Sequence, residues 1–134
     1  MNTIKINQDQ FREMIKNPND KPVVMLNLLK FKKEGGEKSY ARYIKEANRF
    51  VEAVGGKLLL FSRPKELLTG TETWDLLMLV KYPSRKAFLA MASNTEYLEI
   101  HSFREEALES AVLYATDEIS PRDLTQNEIN CLEL

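Results

Sequence analysis

Arg104 is the residue whose place in the sequence is hardest to explain by simple solvation. Around it, Tyr97, Ile100, Ala107, Leu108 and Ala111 fall on one stripe at helical spacing, and Arg104 lies in the middle of that stripe. A guanidinium facing a core is costly unless it is paired or meets an anionic ligand. Two readings fit: a clamp on a carboxylate or enolate inside a pocket, or a buried ion pair with Asp75 as its partner. They are compatible if the pair lines a cavity. Asp75 follows Trp74 at the start of an apolar run, and aspartate is disfavoured in strands, so something specific should hold it there. It is either an arginine partner or turn cap, or a general base. Asn27 interrupts another apolar run and shares a strand face with Met25 and Leu29. A buried amide must be satisfied, by neighbouring backbone or by a substrate carbonyl or oxyanion. His101, the single histidine, lies one turn from Tyr97 and beside Arg104 on the margin of the stripe. It is a candidate acid or base, against the plainer reading of a surface or packing residue. Tyr40, Tyr43, Trp74 and Tyr82 are candidates to line an aromatic pocket, although Tyr40 and Tyr43, at helical spacing, are first of all core residues with a polar tip.

Other chemistries find no footing. There is no phosphate-cradling glycine loop, HExxH, GxSxG or paired CxxC in the sequence. One histidine and one cysteine, Cys131, cannot build a histidine-rich or cysteine-rich metal site, so no metal is expected, with carboxylate-bound ions left open. No base accompanies Cys131, which argues against a catalytic thiol. The net charge of −1 offers no basic field to a phosphate backbone, so nucleic acid is not an expected partner. No stretch approaches about 18 consecutive apolar residues, and Met1–Lys5 has no apolar signal core. The expectation is a cytoplasmic protein without a membrane partner.

The elements that must position these residues read as follows. The 134 residues fit one domain, with an N-terminal helical extension over 1–21, a core over 22–117 and a C-terminal tail over 118–134. An opening helix is predicted over about 8–16, capped by Asn7 and stopped by Asn17-Pro18. A strand over about 22–31 leads through a polar turn into a strongly periodic helix, about 37–54, carrying Tyr40, Tyr43, Ile44, Ala47, Phe50, Val51 and Val54. Gly55-Gly56 ends that helix. Strands over about 57–63 and 74–82 flank a loop, and Pro83-Ser84 opens the next helix, with Ser84 as its cap. A Ser93/Glu96 capping box starts a further helix running to about Glu109, followed by a last strand over about 110–117. The order is a helix and then β-α-β-β-α-β, an α+β sandwich of the ferredoxin-like type with an extra N-terminal helix.

The strands are apolar on both sides. In the first, Val23, Met25, Leu29 and Phe31 oppose Val24, Leu26 and Leu28; in the third, Trp74, Leu76, Met78 and Val80 oppose Leu77 and Leu79. A one-sided antiparallel sheet alternates apolar with polar. The crossover helices cover one face, so a second copy of the chain is expected on the other, making a homodimer. The alternative is that the opening helix and the tail roof that face within one chain, for which Phe11, Met14 and Ile15 are few.

The run Asn27-Leu28-Leu29-Lys30-Phe31, followed by Tyr40 and Tyr43, Gly55-Gly56-Lys57-Leu58-Leu59, Trp74-Asp75, Tyr82-Pro83-Ser84, Phe88, Met91, Tyr97 and Arg104, resembles the domain of unknown function 1330 family. The likeness spans about residues 22–115. It implies membership of the dimeric α/β-barrel superfamily, whose protomers pair through their sheets. It supplies no reaction. That superfamily includes cofactor-free monooxygenases, haem-degrading enzymes, lactone isomerases and plain ligand-binding modules, and a shared fold does not choose among them. A haem ligand role for His101 rests on the superfamily alone, and no cofactor is expected. The leading expectation is a pocket between sheet and helices, lined by Asn27, Tyr43, Trp74 and Arg104, that takes a small anionic or aromatic organic molecule. If chemistry occurs there, it is cofactor-independent oxygenation or proton-transfer isomerisation with Asp75 or His101 moving the proton. The alternatives are a non-catalytic ligand-binding module and a protein-interaction module using the opening helix and tail.

Overall fold

The computed structural model describes residues 5–125, so Cys131 and the end of the tail lie outside the described residues. The elements run α1 (Gln8–Lys16), β1 (Val23–Phe31), α2 (Gly36–Ala53), β2 (Lys57–Ser62), β3 (Leu76–Tyr82), α3 (Arg85–Ala92), α4 (Thr95–Ala107) and β4 (Leu108–Thr116). The four strands form one antiparallel sheet in the order β2-β3-β1-β4. With two crossovers this is the ferredoxin-like topology that the element order predicts.

Period-2 geometry sends alternate strand residues to opposite sides. Val23, Met25, Asn27 and Leu29 of β1 are buried, as are Leu76, Met78, Val80 and Tyr82 of β3. The register sets Met25 opposite Val80, Asn27 opposite Met78 and Leu29 opposite Leu76, so these residues share one face. The helical stripes close over it: Tyr40, Tyr43, Ala47 and Phe50 from α2, Phe88 and Met91 from α3, Tyr97 and Ala107 from α4.

Helix ends are fixed by side chains. The Ser84 hydroxyl accepts the Ala87 N–H at 3.1 Å, as expected. The cap of α4 is Asn94, not Ser93: its Oδ1 accepts the N–H groups of Glu96 and Tyr97, while Ser93 turns back to donate to the Leu89 carbonyl. Asn7 makes no side-chain cap bond to α1. Gly36 lets the start of α2 come close to the end of α4, because a Cβ there would stand 2.7 Å from the Ala107 carbonyl oxygen and 3.0 Å from Phe31 Cβ. The Lys32 N–H donates to that same Ala107 carbonyl at 2.9 Å. The end of β1, the start of α2 and the end of α4 are thereby joined at one pole of the sheet.

The third strand begins two residues later than the sequence suggests, leaving Trp74 and Asp75 before it. Asp75 still extends the ladder, donating its N–H to Leu29 O at 2.8 Å and accepting the Phe31 N–H on its carboxylate at 2.9 Å. That side chain replaces a strand partner at the point where the β1–β4 register shifts, between Lys30 and Phe31.

The other sheet face carries Val24, Leu26 and Leu28, opposed in register by Leu77 and Leu79 of β3 and by Val112 and Tyr114 of β4, with Leu60 beyond on β2. Helix α1 does not roof it. This helix has no buried residue, touches α3 and packs Met14 onto the helix-side core. The described part of the tail, 117–125, is exposed. On β2, Leu58, Leu59, Leu60 and Phe61 are all at least 44% exposed, so this edge strand is open on both sides. Among the described residues no helix is long and apolar enough to cross a membrane.

Candidate functional site: a tyrosine cluster beside Arg104

Helical spacing places Tyr40 and Tyr43 on one face of α2, and Tyr97, His101 and Arg104 along adjoining positions of α4. The two helices pack against each other, which brings their aromatic residues together. The Tyr43 and Tyr97 hydroxyls meet at 2.5 Å, both buried, and either can be the donor. The Tyr40 ring lies 5.4 Å from Tyr43 and 5.5 Å from Phe31 between centroids. Phe50 closes edge-on against Tyr97 at 5.8 Å.

Burial pushes the phenols of Tyr40, Tyr43 and Tyr97 above the ordinary tyrosine range, because phenolate would lose its hydration. The positive charge of Arg104, half-buried on α4, pulls against this at all three hydroxyls, so it acts on the cluster from its margin. The three phenols therefore stay neutral donors at physiological pH. The Tyr40 hydroxyl is buried without a hydrogen-bond partner. Arg104 has no ion pair or hydrogen bond among the described residues, so the expected pair with Asp75 is not formed. The Asp75 carboxylate is held by the Phe31 N–H instead.

The residues picked out from sequence thus divide. Tyr43 and Arg104 come together. Asn27 faces the helix side of the sheet and is buried, and its amide makes one long bond, Nδ2 to the Met25 carbonyl at 3.5 Å. Asp75 serves the backbone of β1, and its Phe31 partner in turn touches Tyr40. His101 sits at the solvent edge, with Nδ1 3.1 Å from Glu105 Oε1 and its ring 6.0 Å from that of Tyr97. Trp74 belongs elsewhere, to a small surface groove of about 110 Å³ with Pro64, Leu67 and Glu72. It leaves the cluster because it precedes β3 in the connecting loop rather than lying within the strand.

Sequence reasoning undervalued two members, Tyr40 and Tyr97, whose helical spacing reads equally well as plain core. It missed Arg85, which is buried and ion-paired at 2.9 Å with Asp117. A signal existed: a cation in the first turn of a helix opposes the helix dipole and requires a partner. Arg85 borders a groove of about 410 Å³ formed with Gln10, Glu13, Met14 and Asn17, separate from the tyrosine cluster.

The βαββαβ sheet with its helices on one face defines a ferredoxin-like α+β protein. Residues 30–116 match the family described as Domain of unknown function (DUF1330), and the chain belongs to that family. No curated protein matches it. It is similar to the crystal structure of RPA0582, a protein of unknown function from Rhodopseudomonas palustris, with 26% identity over 90% of this chain and 100% of that one and a TM-score of 0.83. More distant likenesses carry the fold alone. They include At3g17210 from Arabidopsis thaliana, with 12% identity over 73% of this chain and 96% of that one and a TM-score of 0.60. Another is a dimeric ferredoxin-like protein of unknown function from Jannaschia sp. CCS1, with 12% identity over 72% of this chain and 99% of that one and a TM-score of 0.59.

Proposed function

We propose that this protein is a cytoplasmic homodimer, paired through the open sheet face, that binds a small organic molecule at the tyrosine–Arg104 cluster. The observation that carries the binding reading is the unpartnered, buried Tyr40 hydroxyl, on which the charge of the unpaired Arg104 guanidinium acts. Buried polar groups are ordinarily satisfied, so one that is not calls for a reason, and a bound molecule that accepts its proton supplies one. Pairing through the sheet is supported by the apolar second face, which α1 leaves uncovered.

Binding is better supported than catalysis. The two candidate proton movers are engaged elsewhere, Asp75 with the Phe31 N–H and His101 with Glu105. Cofactor-independent proton transfer at the cluster would have to run through the phenols themselves. Asn27, on the same side of the sheet, is a second group able to hold a ligand carbonyl.

The test is a thermal-shift screen of small aromatic and acidic compounds against wild type and Arg104→Ala. Compounds that raise the wild-type Tm and lose that effect in Arg104→Ala support the site. Hits whose shift is the same in both proteins count against it.

A further inference from the structure

The polar groups of the tyrosine cluster can be counted by donor and acceptor. A phenol hydroxyl carries one proton to donate and an oxygen that also accepts, and a guanidinium five N–H donors and no acceptor. In the Tyr43–Tyr97 pair one hydroxyl donates to the other. The accepting hydroxyl keeps its own proton, which has no second partner among the described residues. The Tyr40 hydroxyl proton is likewise unmatched, and so are the donors of Arg104. The site therefore holds a surplus of donors around a single positive charge, and no carboxylate of the described residues is paired with that charge.

We infer that the ligand of this site is an aprotic monoanion presenting two oxygen acceptors, a carboxylate or the enolate of a small 1,3-dicarbonyl compound. The inference rests on the binding reading above and names the ligand class for that same site. An anion supplies acceptors where donors outnumber them, the phenol oxygens being the cluster's own acceptors, and one guanidinium balances one negative charge. A neutral amide of the same shape replaces one acceptor oxygen by a donor NH₂, which only a phenol oxygen could accept, and it leaves the guanidinium charge unbalanced. An amine would add charge to a site already positive. The neutral state of the phenols suits them to donate to an oxyanion without competing with it for charge. Burial of Tyr40 shields these contacts from water and so strengthens them.

The test uses the full chain, with tyrosine labelled at the ring carbon bearing the hydroxyl and observed by NMR. Formate, acetate and benzoate are titrated against formamide, acetamide and benzamide, so that space at the site does not decide the answer. The expected result is that at least one carboxylate moves the Tyr40, Tyr43 and Tyr97 signals and binds at least about tenfold tighter than its matched amide, as charge-assisted hydrogen bonds imply. Arg104→Gln should erase that preference, and Tyr40→Phe should weaken the carboxylate while leaving the Tyr43 and Tyr97 signals responsive. If an amide binds as well as its carboxylate, the anion class falls while the binding site stands. If neither series moves the tyrosine signals up to its solubility limit, the inference and the binding reading fall together.

Discussion

If the proposed homodimer forms through the open sheet face, lysine in place of Leu26 should separate its two subunits without unfolding either one. Leu26 lies at the middle of the open sheet face, between Leu79 of β3 and Tyr114 of β4 in the cross-strand register. In one subunit it is only half covered, so the lower end of the usual burial value applies, about 1.5 kcal/mol in each copy. The substitution is present twice in a homodimer, which makes the lost burial about 3 kcal/mol. An ammonium facing an apolar partner costs several kcal/mol unless it escapes, and the flexible lysine stem recovers part of that, leaving roughly 2 kcal/mol. The total, on the order of 5 kcal/mol, raises the dimer Kd by between three and four powers of ten. The isolated subunit should lose little, since the same lysine reaches water there. Light scattering behind size exclusion at micromolar concentration reads the outcome: twice 15.5 kDa for wild type and 15.5 kDa for Leu26→Lys, with matching circular dichroism. A variant that keeps the doubled mass with unchanged Kd would refute the claim that this face is the interface. So would a wild-type protein that is monomeric at the same concentration.

Two further outcomes follow from the buried phenols and from Asp75. Tyr40, Tyr43, Tyr82 and Tyr97 all have phenols raised above their ordinary value of 10.0 by burial. Their contribution to stability is complete below pH 10 and is lost as pH rises further, because the unfolded chain then releases protons that the folded chain retains; each costs up to about 1.4 kcal/mol per pH unit. The expected signature, beyond the signal of the exposed Tyr114, is a cooperative rise in absorbance at 295 nm from these four phenols that coincides with loss of circular dichroism; gradual ionisation of all four in a folded protein would contradict it. Asp75→Ala should lower the urea-unfolding free energy by about 1–3 kcal/mol, because it strands the Phe31 N–H, and Asp75→Asn should restore most of that loss by keeping an acceptor. Equal losses in the two variants would show that charge, not the hydrogen bond, holds this site.

Much of this architecture was legible from residue types alone. The period of Tyr40, Tyr43, Ala47 and Phe50 is helical and that of Val23, Met25 and Leu29 is two, and both patterns reappear as buried stripes on facing layers. Glycine, proline and serine at the joints fixed the boundaries to within a residue or two. The cap of α4 was misread because Ser93 and Asn94 are both good capping types, and only the backbone angles decide which one turns outward. The candidate site was legible in part. Arg104 stood out because a cation in an apolar stripe is a local anomaly, whereas Tyr40 and Tyr97 did not, since a tyrosine in a core stripe looks the same whether or not its hydroxyl is satisfied.

From the sequence by itself came the order of elements, the two-sided apolar strands and the oddity of Arg104, because all three are set by side chains close together along the chain. Tertiary structure alone decided which hydroxyls face one another, that Asp75 is held by the backbone of β1 instead of by Arg104, and that Trp74 belongs to a separate groove. It also decided that α1 rests on α3 and not on the second sheet face. Those outcomes depend on the angles at which whole helices and strands pack, which no local pattern encodes.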